Sequence, residues 1–122
     1  MHVDTTARPR VLVTYEWRLP RTAMTQYLAH LRPDLAFVEV LPSELPEALA
    51  GSPGAVVVCD APTPEIEAHA KGWLVVPFDG PHDAVAGVGE RSHSFPLGAP
   101  EDILGALDDL VAGRWAETGD VA

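Results

Sequence analysis

The sequence has a single cysteine and no long hydrophobic run. One thiol cannot form an internal disulfide, and Cys59 lies within an apolar segment where cysteine behaves as a small buried hydrophobe. No stretch approaches the roughly 20 apolar residues that span a bilayer, and the first ten residues lack the apolar core of a signal peptide. We therefore expect a cytoplasmic protein that does not contact membranes.

Positive charge is also scarce. Eight Lys and Arg residues stand against eighteen Asp and Glu residues, which gives a formal charge of −10. Such a chain repels nucleic-acid phosphate, so direct nucleic-acid binding is not expected. Lys71 is the only lysine, and Ala, Pro and Gly are abundant, a bias that indicates a high-GC bacterial genome.

What the chain does have is an alternation of apolar segments with helical patterns. This alternation is typical of βαβ units and predicts an α/β domain with a mostly parallel sheet of about five strands. The predicted strands are 11–15, 35–41, 55–59 and 73–76, and the predicted helices are 22–31, 43–50, 64–71 and 100–111.

The segment 77–99 has two interpretations. Residues 84–88 follow the fourth strand too closely for a parallel crossover, so an antiparallel 73–76/84–88 hairpin is favoured. In the alternative, 94–97 forms a parallel fifth strand. The whole chain, 1–122, is predicted to be one domain with a core at about 9–113 and flexible tails at 1–8 and 114–122.

The end of the third predicted strand carries the most specific motif. Asp60 follows Val-Val-Val-Cys, and Pro64 stands four residues later, while Glu16 follows the first strand. In this spacing the chain resembles the receiver domains of bacterial response regulators. The resemblance implies a flavodoxin-like three-layer α/β/α sandwich with central strand order 2-1-3-4, and makes Asp60 the candidate phosphoacceptor.

The chain departs from the receiver pattern at four points. Receivers have a Ser or Thr at the end of the fourth strand, where this chain has Pro77-Phe78-Asp79. Tyr15 stands in place of one of the two acidic residues that hold Mg²⁺ in receivers, and Phe95 stands where receivers have a lysine. The helix between the fourth and fifth strands is expected to be missing. The sequence therefore resembles a degenerate receiver, or pseudo-receiver, of the small stand-alone actinobacterial type without assigned function.

The candidate site is a group of carboxylates at the carboxyl edge of the sheet. Strands one and three flank the point where ligands bind in open α/β sheets, so Glu16 and Asp60 are expected to be neighbours. They are candidate ligands of Mg²⁺, and Asp79 is a candidate third acid. In the simpler interpretation, Asp60 only turns the chain after a strand. Asp79, His82, Asp83 and His93 match no established metal-ligand spacing.

The functional expectation is a non-enzymatic module. No nucleophile and base can be placed together from the sequence, and no cofactor is required. The first hypothesis is a degenerate receiver that acts through a protein partner or a homodimer and is not phosphorylated in the usual way. The alternative is a domain that senses a small ligand or divalent metal through the carboxylates at the sheet edge.

Overall fold

The computed structural model describes residues 8–77, 83–97 and 100–113. The strands are β1 (Arg10–Thr14), β2 (Ala36–Glu39), β3 (Val56–Cys59), β4 (Gly72–Val75), β5 (Ala84–Val88) and β6 (Arg91–Phe95). The helices are α1 (Arg18–Leu31), α2 (Leu45–Gly51), α3 (Pro64–His69) and α4 (Pro100–Ala112), and a 3₁₀ turn at Pro42–Glu44 precedes α2. Apart from Arg8, the predicted flexible tails lie outside the described residues.

The strands form one sheet in the order β2-β1-β3-β4-β5-β6. The first four strands are parallel, with Leu12 aligned to Val38 on one side and to Val57 on the other. β4 and β5 are antiparallel, with Leu74 opposite Ala86. The α/β class, the order 2-1-3-4 and the antiparallel hairpin are confirmed.

The last strand differs from both sequence interpretations. β6 pairs antiparallel with β5 through a turn at Gly89, whose φ of 62° suits glycine. The sheet therefore has six strands, and the alternative of a parallel strand at 94–97 is wrong. Arg-Ser-His-Ser-Phe is exposed at four of its five positions, so the segment carries no apolar signal.

Helices cover both faces of the sheet. Alternate residues of β1 point to opposite sides, as the strand geometry requires. Val11 and Val13 pack in a cluster with Leu28 of α1 and Leu107 of α4, as part of the first core. Leu12 belongs to a second core on the other face, which also contains Leu45 and Leu49 of α2 and Ile66 of α3.

The helix starts are set by proline and by one side-chain cap. α1 begins at Arg18, four residues before the predicted start, because Pro20 lies in the first turn, where no intrahelical donor is needed. α3 begins as predicted: Pro64 occupies its first turn, and the Ile66 N–H donates to Thr63 Oγ1 at 3.3 Å.

Candidate functional site at the carboxyl edge of the sheet

Asp60 lies at the carboxyl edge of the sheet, at the end of β3. It follows β3 directly and is exposed, while Cys59 before it is fully buried. The backbone N–H of Glu16 donates to Asp60 Oδ2 at 3.0 Å. The structure thus brings the loop after β1 and the end of β3 together, as the sequence predicted, and this contact orients the Asp60 carboxylate.

A buried arginine fixes the start of α1 beside this loop. Arg21 Nη1 donates to the carbonyl oxygen of Tyr15 at 3.1 Å, and Arg21 Nε donates to Glu39 Oε2 at 3.0 Å. Thr22 Oγ1 also donates to Glu39 Oε2, at 2.7 Å. The Thr22 hydroxyl, and after it the Arg21 guanidinium, lower the pKa of Glu39. Arg21 therefore links the β1–α1 loop to β2, because it donates both to the Tyr15 carbonyl oxygen and to the Glu39 carboxylate.

Tyr15 directly precedes Glu16 and is an uncharged residue at the carboxyl edge of the sheet. Its side chain is buried, and its hydroxyl donates to the carbonyl oxygen of Val76 at 2.7 Å. Burial, followed by the nearby Cys59 and Asp60, raises the pKa of the Tyr15 phenol. Tyr15 joins the ends of β1 and β4 and supplies no charged oxygen for a metal.

Cys59 is not a reactive thiol. It is fully buried, and burial, with a further contribution from the Asp60 charge, raises its pKa to about 12. Because the thiolate is the nucleophilic form, this cysteine stays unreactive at neutral pH. The sequence-based assignment of Cys59 to the core is consistent with this environment.

Two clefts adjoin Asp60, one on each side of the sheet edge. The first cleft, of about 610 Å³, lies between the edge and the α2–α3 face; its lining is Thr14, Glu16, Pro42, Ser43, Leu45, Pro46, Asp60, Ala61, Thr63, Glu65 and Ile66. The second cleft has a similar volume, about 610 Å³, and lies at the start of α1; its lining is Tyr15, Trp17, Arg18, Leu19, Pro20, Asp60 and Pro77.

The first cleft contains a polar group that sequence reasoning missed. Thr14 is only 5% exposed, and its Oγ1 has no hydrogen-bond partner among the residues the structure describes. A buried hydroxyl without a partner costs roughly 1–3 kcal/mol, so such groups call for an explanation. The available signal was a threonine closing an otherwise apolar strand, directly ahead of the predicted site.

The second cleft combines exposed hydrophobic residues with two charged residues, Arg18 and Asp60. Trp17 is 71% exposed and Leu19 is 80% exposed, although both are large hydrophobic residues. Trp17 is also the N-cap residue of α1, and no side chain of the described residues caps that helix end. Arg18 is the one positively charged residue among the described residues that line this cleft.

The structure brings the segments that carry two of the predicted metal ligands, Glu16 and Asp60, together. Within residues 8–77, 83–97 and 100–113, no three His, Cys, Asp or Glu side chains are grouped to hold a metal ion. Asp79 and His82 lie outside these ranges. His93 lies on β6, separated from β3 by two strands, with its ring 6.1 Å from that of Phe95. Glu16 and Asp60 offer two carboxylates, a number that Mg²⁺ accepts when water completes its coordination.

Comparisons with known proteins identify no relative of this chain. No protein family, curated protein or solved structure matches the chain. In the described part of the chain, no helix combines the length and the hydrophobicity needed to cross a membrane. The site must therefore be interpreted from its own geometry.

Proposed function

We propose that the chain is a non-catalytic, receiver-like regulatory domain of the cytoplasm whose input is a small ligand bound beside Asp60. The observation that carries the proposal is the buried Thr14 hydroxyl, which has no partner among the described residues and belongs to a residue that lines a cleft bordered by Asp60. Pockets of roughly 300–1,000 Å³ with a few placed polar groups are typical of small-molecule sites. The strand order β2-β1-β3-β4 supports a flavodoxin-like frame, in which ligands bind at this edge.

The position of lysine argues against a conventional phosphoryl switch. Lys71, the only lysine, precedes β4 and so lies at the amino edge, opposite Asp60, where its Nζ donates to the carbonyl oxygen of Val111 at 2.5 Å. Phe95 pairs with Ala84 and packs against the first core. No lysine can therefore stabilise negative charge on a phosphoryl group at Asp60. In enzymes, such stabilisation is a large electrostatic contribution to phosphoryl transfer.

A phosphorylation assay tests this part of the proposal. The protein is incubated with acetyl phosphate, or with beryllofluoride, in the presence of Mg²⁺, and intact mass and Trp17 fluorescence are followed. We expect no gain of a phosphoryl group and no change that depends on Asp60. A phosphoryl adduct present in the wild-type chain and absent from Asp60→Asn would restore the conventional switch.

Ligand input is tested through the Glu16 amide. Because this N–H donates to Asp60 Oδ2, any molecule that binds the Asp60 carboxylate should shift the NMR resonance of the Glu16 amide. A library of small charged and uncharged fragments is screened against isotope-labelled protein. We expect hits to cluster at Glu16, Asp60 and Thr63, and to weaken in Asp60→Asn but not in Glu101→Gln, an exposed acid on α4. Hits scattered over the surface, or no hits at all, would contradict the proposal.

A second candidate function is protein binding through the exposed start of α1. The exposure of Trp17 and Leu19 beside Asp60 favours it, since aromatic residues are enriched at interfaces. The partner would be another protein or a second copy of the chain. Sedimentation over a range of concentrations tests the homodimer: Trp17→Ala and Leu19→Ser should each favour the monomer. A species of unchanged mass in all three proteins would exclude a homodimer through this surface.

A further inference from the structure

The first cleft has the chemistry of a site for a positively charged organic ligand. Its rim carries three carboxylates, those of Glu16, Asp60 and Glu65, all on exposed residues. None of the described residues that line it carries a positive charge. A ligand there meets negative charge without a compensating cation from this lining.

The other polar groups of the cleft are hydroxyls. Thr14 Oγ1 is buried and has no partner among the described residues, while Thr63 Oγ1 accepts from the Ile66 N–H. Ser43 completes the set. Carboxylates accept only, and hydroxyls can accept, so the cleft suits a ligand that consists mainly of donors. An ammonium group has three donors and no acceptor, and therefore fits this lining.

The arrangement favours an extended organic cation over a metal ion. The carboxylates lie around a cleft of about 610 Å³ and do not form a three-ligand group in the described part of the chain. The same lining includes the apolar residues Pro42, Pro46 and Leu45. Such walls suit methylene groups, which gain from burial by roughly 0.8 kcal/mol each. Separated charges joined by a hydrocarbon chain are the features of a diamine.

We propose that the first cleft binds a small aliphatic diamine, with its ammonium groups on the Glu16, Asp60 and Glu65 carboxylates and its methylene chain between Pro42 and Pro46. On binding, the Thr14 hydroxyl, which is buried in the free protein, turns toward the ammonium group nearest the sheet and accepts its hydrogen bond. This inference rests on the proposed ligand input at Asp60 and specifies its chemical class.

The test uses cadaverine, a five-carbon diamine, with isothermal titration and amide NMR on the full chain. The uncharged pentanediol of the same length and Mg²⁺ are the comparison ligands. We expect cadaverine to bind and to shift the Glu16 and Ile66 amides, and its affinity to fall as salt is added. The diol should bind at least about tenfold more weakly, because it lacks the charge.

Five variants locate the binding. Asp60→Asn and Glu65→Gln should each reduce cadaverine affinity by about threefold to tenfold, as expected for a partly exposed ion pair. Thr14→Val should also reduce it, whereas Thr14→Ser should retain it. Glu101→Gln removes one equal charge on α4, outside the cleft lining, and should leave the affinity unchanged. Folding of each variant is confirmed from its amide spectrum.

Each other outcome contradicts the inference. Equal binding of the diol would show that charge is not recognised, and an equal loss in Glu101→Gln would show nonspecific attraction to the acidic chain. Stronger binding of Mg²⁺ at the same amides would identify a metal site. If cadaverine does not bind at about 10 mM while another fragment shifts the Glu16 amide, the diamine is wrong and the ligand input stands. If nothing shifts this amide, both proposals fail.

Discussion

Thr14 and Thr63 face the same cleft, yet their hydroxyl groups have opposite roles in stability. Thr14 Oγ1 is buried and has no partner in the described part of the chain, whereas Thr63 Oγ1 accepts from the Ile66 N–H and caps α3. Replacing threonine by valine removes the hydroxyl and keeps the branched shape. In the absence of ligand, we expect Thr14→Val to raise the free energy of unfolding by about 1 kcal/mol, because an unsatisfied polar group is lost.

The matched variant Thr63→Val should instead lower the free energy of unfolding by about 1 kcal/mol, since the cap is lost. Urea unfolding of the two variants and the wild type measures both effects. A destabilised Thr14→Val would mean that the hydroxyl has a partner in the folded protein. Such a result would also remove the main support for a ligand in the first cleft.

Single residues of the site were predictable only where their position in the chain carried the information. Asp60 and Glu16 follow apolar strands, and the order of strands places both at the carboxyl edge. Thr14 could not be recognised, because an unsatisfied hydroxyl depends on what the surrounding elements fail to supply. The Arg21–Glu39 pair likewise joins two elements at a contact that neither segment reveals alone.

At the scale of elements, hydrophobicity decided what could be predicted. β1, β3 and β4 are almost entirely buried, so each is visible as an apolar run. β6 was missed because it lies at the edge of the sheet and its pairing with β5 is made by the backbone. Edge strands often carry polar residues, which limit pairing with other chains. With β6, the sheet has six strands instead of the predicted five.

The β4–β5 pairing depends on a close approach between Trp73 and Gly87. The indole of Trp73 lies against Gly87, and its Nε1 donates to the carbonyl oxygen of Gly89 at 3.0 Å. A Cβ at position 87 would overlap the indole ring. We expect Gly87→Ala to lower the free energy of unfolding by about 1–3 kcal/mol, because the tryptophan must move from its packed position.

Gly105 provides the control for this substitution. It lies within α4 and is exposed, and a Cβ at this position would point into space that no other described element occupies within 4 Å. Gly105→Ala should raise the free energy of unfolding by up to about 1 kcal/mol, because alanine favours the helix. Thermal unfolding followed by circular dichroism distinguishes the two. Equal effects of both alanines would show that the Trp73 contact does not limit position 87.

For the molecule as a whole, the excess of negative charge lowers the stability of the folded state. The formal charge is −10, and the ion pairs of the described residues include those of Arg21 with Glu39 and of Arg32 with Asp34 and Asp108. Asp34 is largely exposed, and exposed pairs contribute roughly 0–1 kcal/mol. The excess carboxylates instead repel one another throughout the folded chain. Repulsion of this kind weakens when salt screens it.

We therefore expect moderate salt to stabilise the protein. Between about 10 mM and 300 mM sodium chloride, the Debye length falls from roughly 30 Å to less than 8 Å, and the melting temperature should rise by several degrees. A variant with a reduced excess of acid, such as Glu90→Lys in the exposed turn between β5 and β6, should start with a higher melting temperature and respond less to salt. A melting temperature that falls with salt would show that the Arg21 and Arg32 ion pairs outweigh the general repulsion.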